Sequence, residues 1–220
     1  MSAAQQLHEA IKSGDASQVR ALVERDPSLL GGGGAAGLAP LMFAVYCGRR
    51  EVAECLIEQG AEVDVFSAAA LGDVARLQDW LKRDQSLLQA RSSDGWTPLH
   101  LAAFFGQKQA VEYLREQGAD IEARSANNMR NTALIAAAAG GRVDVVAALL
   151  ASGAEVDARQ TGDYTALHSA AAAGNEEMAR LLLNHGADPS AKSEQGETPT
   201  DMAREKGHHQ MVRLLESAAR

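Results

Sequence analysis

The sequence predicts an all-α repeat solenoid, in which short helix pairs stack side by side instead of surrounding one globular core. Two observations carry this. Thr97, Thr132, Thr165 and Thr198 recur at spacings of 35, 33 and 33 residues, each opening a candidate helix. Gly118, Gly153 and Gly186 recur at spacings of 35 and 33, each followed by Ala and an acidic residue. A unit of this size with two short helices cannot bury its apolar faces alone, so neighbours must cover them.

The clearest copy runs from Ser93 to Gly106. Thr97 suits an N-cap, Pro98 the first helical turn, and Gly106 the left-handed stop. A second helical run covers 109–115. Thr-Pro-Leu-His at 97–100, Thr-Ala-Leu-His at 165–168 and the Gly-Ala-acidic closures resemble the ankyrin repeat over nearly the whole chain. The resemblance implies about seven helix-turn-helix units with short β-turn fingers, in one domain over 1–220. The expected units are an N-terminal cap at 5–30, then 38–64, a short third unit at 65–90, 93–124, 125–159, 160–192, and a C-terminal cap at 193–220. The third lacks its finger, because Val63-Asp64-Val65 leads straight into its helix. Gly31 to Gly37 reads as a flexible connector; no Gly-Lys-Ser/Thr follows, as a phosphate loop would need.

Charge narrows the function classes. With 21 basic against 29 acidic residues and a net charge of −8, nucleic acid is not the expected partner. No apolar run approaches the roughly 18 residues that cross a bilayer, and the first residues lack a signal-peptide pattern. Cys47 and Cys55 fall in different helices of one unit, which fits a reducing cytoplasm better than a disulfide framework. No nucleophile–base set stands in motif context, and no metal or cofactor is expected. His208 and His209 are adjacent and point to different helix faces. For His100 and His168 the resemblance implies structural hydrogen bonds between units. The expected function is non-catalytic binding of a protein or peptide by a monomer, with a homodimer as the alternative state. A secreted effector using the same binding mode, or an unrecognised enzyme or metal protein, are the alternative classes.

The resemblance also places the partner on a concave face made of turn tips and first-helix ends. On this chain those positions are Tyr46 and Cys47, Ala70 and Leu71, Phe104 and Phe105, Ala139 and Gly140, and Ala172 and Ala173. The residues before each Thr add Trp96, Asn131 and Tyr164. Clustered aromatics are common interface anchors, and Trp96, Phe104 and Phe105 converge on one unit. The expected surface is an aromatic wall beside a flat alanine shelf, overhung by Met129 and by Arg130, which could meet a carboxylate. Trp96 could instead fill the gap left by the missing finger. Leu77, Trp80, Tyr113 and Cys55 are assigned to the core, and His8 and His185 to solvent.

Overall fold

The computed structural model describes residues 1–31 and 38–219; the expected connector falls largely on 32–37, outside the described residues. The described residues form fourteen α-helices and no strand. They run in pairs: α1 (Ala3–Ser13) and α2 (Ala16–Arg25), α3 (Pro40–Tyr46) and α4 (Arg50–Glu58), α5 (Val65–Leu71) and α6 (Val74–Arg83), α7 (Pro98–Phe105) and α8 (Lys108–Glu116). Then follow α9 (Ala133–Ala139) and α10 (Val143–Ala151), α11 (Ala166–Ala173) and α12 (Glu176–Asn184), and α13 (Pro199–Glu205) and α14 (His209–Ala218). Within a pair the helices pack antiparallel, and each first helix packs on the next pair's first helix.

Local chemistry sets the ends. The Thr97, Thr132 and Thr198 side chains cap α7, α9 and α13, with Pro98 and Pro199 in the first turns. Asp15, Asp73 and Asn175 cap α2, α6 and α12. Ala39 offers α3 no such bond. Ser2 and Gln5 close a capping box, so α1 begins two residues before the expected unit start at 5. Asp26-Pro27-Ser28 and Asp84-Gln85-Ser86 build one device twice: the carboxylate accepts from the Ser amide at 3.1 and 2.9 Å, and a 3₁₀ turn follows.

The core is thin and rich in alanine. Ala102, Ala103, Ala136, Ala137, Ala138, Ala170 and Ala171 are buried between α7, α9 and α11, with Leu99, Leu134, Ile135 and Leu167 filling the layers. Small side chains let first helices approach closely. At Gly140 the approach is closest: a Cβ there would stand 2.3 Å from the Phe104 carbonyl oxygen. Of the residues expected in the core, Leu77 and Cys55 are buried. Trp80 and Tyr113 are half-buried at its rim, with the Trp80 indole N–H donating to the Val63 carbonyl at 2.9 Å. His8 is half-buried, stacked on Phe43 with ring centroids 4.0 Å apart, so solvent is not its environment.

Three rows of hydrogen bonds tie unit to unit. In the first, the His100 Nε2–H donates to the Asn131 carbonyl at 2.9 Å and Nδ1 faces the Thr97 hydroxyl at 2.7 Å. His168 repeats this toward the Glu197 carbonyl at 3.2 Å. A carbonyl only accepts, so Nε2 carries the proton in both rings. In the second row Arg91 donates to the Arg124 carbonyl, Arg124 to that of Arg159, and Arg159 to that of Lys192 at 2.9 Å. In the third, Arg49, Gln107, Arg142 and His208, each just before a second helix, donate to the carbonyls of Lys12, Ala70, Phe104 and Ala172.

The third pair interrupts the pattern. Asp64 caps α5 directly, with no finger before it. Every other pair of consecutive second helices packs together, but α4 and α6 stand apart. A cleft of about 510 Å³ lies there, reaching Leu71 and Phe105.

Two measurements test this packing. Gly140→Ala should cost about 1–3 kcal/mol in chemical denaturation, because backbone must move to admit the methyl group. Gly141→Ala, in open space at φ +72°, should cost about 1 kcal/mol from conformation alone. Burial lowers the His100 pKa from 6.5 to about 4, outweighing the hydrogen bond from its ring to Asn131. The unfolded chain therefore binds this proton first. The stability is full above pH 6.5 and is lost as pH falls toward 4. Between pH 7 and 5 this one group should remove about 2 kcal/mol, a component absent from His100→Gln. Equal losses in the two proteins would contradict the assignment.

Candidate functional site

The turn tips and first-helix ends of the second and fourth pairs bring four aromatic side chains into one row. Tyr46, at the end of α3, meets Phe105 edge to face with centroids 5.1 Å apart. Phe105 meets Phe104 at 5.1 Å, and Phe104 meets Trp96 at 5.2 Å, both nearly perpendicular. Trp96 then lies 5.9 Å from the His100 ring. All four are half-buried. Edge-to-face pairs of this kind contribute about 0.5–1.5 kcal/mol each beyond their burial, so the row supports itself.

The missing third finger makes the row possible. Tyr46 reaches across the fingerless unit and donates its hydroxyl to Asp94, 48 residues on. Burial, and then this bond, push the Tyr46 hydroxyl pKa up. Trp96, the residue considered for filling that gap, packs on Phe104 and near His100 of its own unit. Asp94 also accepts from the Ser92 hydroxyl, and its backbone carbonyl accepts from the Asn127 side-chain amide at 3.0 Å. Gly95, at φ +82°, completes the turn; a Cβ there would stand 2.7 Å from the Asn127 nitrogen.

The other expected surface residues divide. Cys47 and Leu71 are half-buried, Leu71 lining the cleft beside Phe105. Met129 is 48% exposed, and Arg130, exposed beside it, adopts φ +49°. Tyr164 is separate from the row: it packs edge to face on His168 at 5.5 Å, its hydroxyl within 3.2 Å of Gln195 and Glu197 oxygens. Asn131 corrects the expectation for turn tips. It is buried, its amide donating to the Ser125 hydroxyl at 3.1 Å and its carbonyl accepting from Ser125 and His100. Two extra residues lengthen the fifth finger, on which Met129 and Arg130 are exposed, while Asn131 keeps the turn-closing position that Trp96 and Tyr164 hold in theirs. Sequence reasoning passed over Asp94, Ser92 and Asn127; a serine two residues before an aspartate was the available signal.

Along the rest of this face Ala139 and Ala173 are exposed and Gly140 and Ala172 half-buried, a surface without bulk. Among the described residues no three His, Cys, Asp or Glu side chains converge as metal ligands would. Cys47 and Cys55 are both free thiols.

The family models for ankyrin repeats match residues 36–67, 65–160 and 167–216. Among similar proteins, the ankyrin repeat and SAM domain-containing protein 6 of Mus musculus is 39% identical over 118 residues, 54% of this chain and 11% of that protein. A probable E3 ubiquitin-protein ligase of Oryza sativa subsp. japonica is 36% identical over 96 residues, 43% of this chain and 21% of its own length. An NAD-capped RNA hydrolase of Homo sapiens is 40% identical over 79 residues, 36% of this chain and 16% of its own. The chain thus spans about a fifth or less of each of these relatives. With stacked helix pairs, Thr-x-Leu-His hydrogen bonds between units, and family matches over most of its length, the chain belongs to the ankyrin-repeat family.

Proposed function

We propose that this chain is a non-catalytic protein-binding module whose contact surface is the row Tyr46, Phe105, Phe104 and Trp96, continued by Leu71, Cys47, Met129 and Arg130 and by Tyr164 on the next finger but one. Ankyrin repeats generally serve protein–protein interaction. The observation that carries the reading here is the row itself: four half-buried aromatics gathered on one face, beside a shelf of alanine and glycine. Rigid aromatic side chains supply contact area at small entropic cost, and a flat shelf beside them admits an extended or helical segment. Arg130 stands where it could meet a carboxylate of that segment. The expected state is a monomer in the cytoplasm, where free Cys47 and Cys55 stay reduced. No helix among the described residues is long and apolar enough to cross a membrane.

The test compares the wild type with Trp96→Ala/Phe104→Ala/Phe105→Ala in capture from lysate of the source cells, after circular dichroism shows equal helix content. The partner should be captured by the wild type alone. Equal capture by a folded variant would move the contact surface elsewhere on the molecule.

A further inference from the structure

Asp94 is a half-buried carboxylate beside the aromatic row, and no cation among the described residues pairs with it. Its side chain is held by two neutral donors, the Tyr46 and Ser92 hydroxyls, and its backbone by the Asn127 amide. No ion pair includes it among the described residues. Asp26, Glu122, Asp157 and Glu197 are likewise half-buried without an ion pair among the described residues; what sets Asp94 apart is its place against Tyr46 and beside Trp96. The arginine nearest in sequence, Arg91, directs its guanidinium to the carbonyls of Gly95 and Arg124. Arg130, on the next finger, makes no ion pair with Asp94. The negative charge is therefore positioned but not neutralised. A carboxylate offers about four acceptor directions, and the two hydroxyls leave about two.

The surroundings suit a cation with an apolar stem. Trp96 lies two residues along the turn and Tyr46 directly on the carboxylate. Aromatic faces attract guanidinium and ammonium groups, and a planar guanidinium can also take two carboxylate acceptor positions at once. Glu197 adds negative charge on the last finger, and the chain carries −8 overall, which draws basic segments toward it.

Resting on the proposed contact surface, we propose that Asp94, with Trp96 and Tyr46, is the subsite for an arginine side chain of the partner, flanked by apolar residues that lie on Phe104 and Phe105. At this subsite the surface thus selects a basic side chain with apolar neighbours.

The test uses fluorescein-labelled Gly-Leu-Arg-Leu-Gly and the same peptide with citrulline, the neutral isostere of arginine, in fluorescence anisotropy at low salt. The wild type should bind the arginine peptide about tenfold more tightly, the effect of one charge-assisted bidentate contact. Asp94→Asn removes the charge, keeps an oxygen for one of the two hydroxyls and sets its NH2 against the oxygen of the other, and it should erase the preference. Tyr46→Phe removes the tie but not the charge and should retain the preference. Equal affinities in the wild type, a preference that survives Asp94→Asn, or no binding of either peptide would overturn the subsite. Binding without preference that is lost on replacing Phe104 and Phe105 would leave the contact surface standing and remove only the role of Asp94.

Discussion

The structure depends on how closely its first helices approach one another. Alanine lines that contact along α7, α9 and α11, and at Gly140 even one methyl group would meet the Phe104 carbonyl. The approach brings each unit's polar groups within reach of the next: His100 to the Asn131 carbonyl, Arg142 to that of Phe104, Arg124 to that of Arg159. Buried polar groups need partners, and the buried rings of His100 and His168 each find one on the neighbouring unit. Packing and hydrogen bonding therefore specify the same spacing, so a bulkier side chain at the contact would also pull the hydrogen-bond rows apart.

The same dependence explains the irregular third unit. Without a finger it cannot continue the rows of finger bonds, and α4 no longer packs on α6. The second unit is held instead by its first helix and by Tyr46, which crosses to Asp94 and Phe105. A defect in the repeat thus brings aromatics of non-adjacent units together, Tyr46 of the second with Phe105 of the fourth. The binding surface proposed above is a consequence of that defect.

Much of this was legible in the sequence. Thr-x-Leu-His and Gly-Ala-acidic recur at one period, and each is a local device: a cap, a hydrogen-bonding ring, a helix stop. The echo between Asp26-Pro27-Ser28 and Asp84-Gln85-Ser86 likewise marked two matching turns. Trp96, Phe104 and Phe105 could be placed together because they share one unit. The tie from Tyr46 to Asp94 could not, since it follows from a missing segment and spans 48 residues. Asn131 is buried because the residue before Thr closes the turn and is not its tip: its carbonyl accepts from the Ser125 amide as those of Trp96, Tyr164 and Glu197 accept from Ser92, Gln160 and Ser193. The arginine row was readable in Ala90-Arg91-Ser92, Ala123-Arg124-Ser125 and Ala158-Arg159, spaced 33 and 35 residues apart, but charge on a turn looks like solvation until its carbonyl partners are seen.

If stability resides in neighbour contacts, damage to one contact should stay local. The direct measurement is hydrogen–deuterium exchange, peptide by peptide, on the wild type and on Ala137→Leu, which overfills the contact between α9 and its neighbours. The account predicts faster exchange in α7, α9 and α11, with α1 and α2 protected as in the wild type. Uniform loss of protection from α1 to α14 would show a single cooperative core and contradict it.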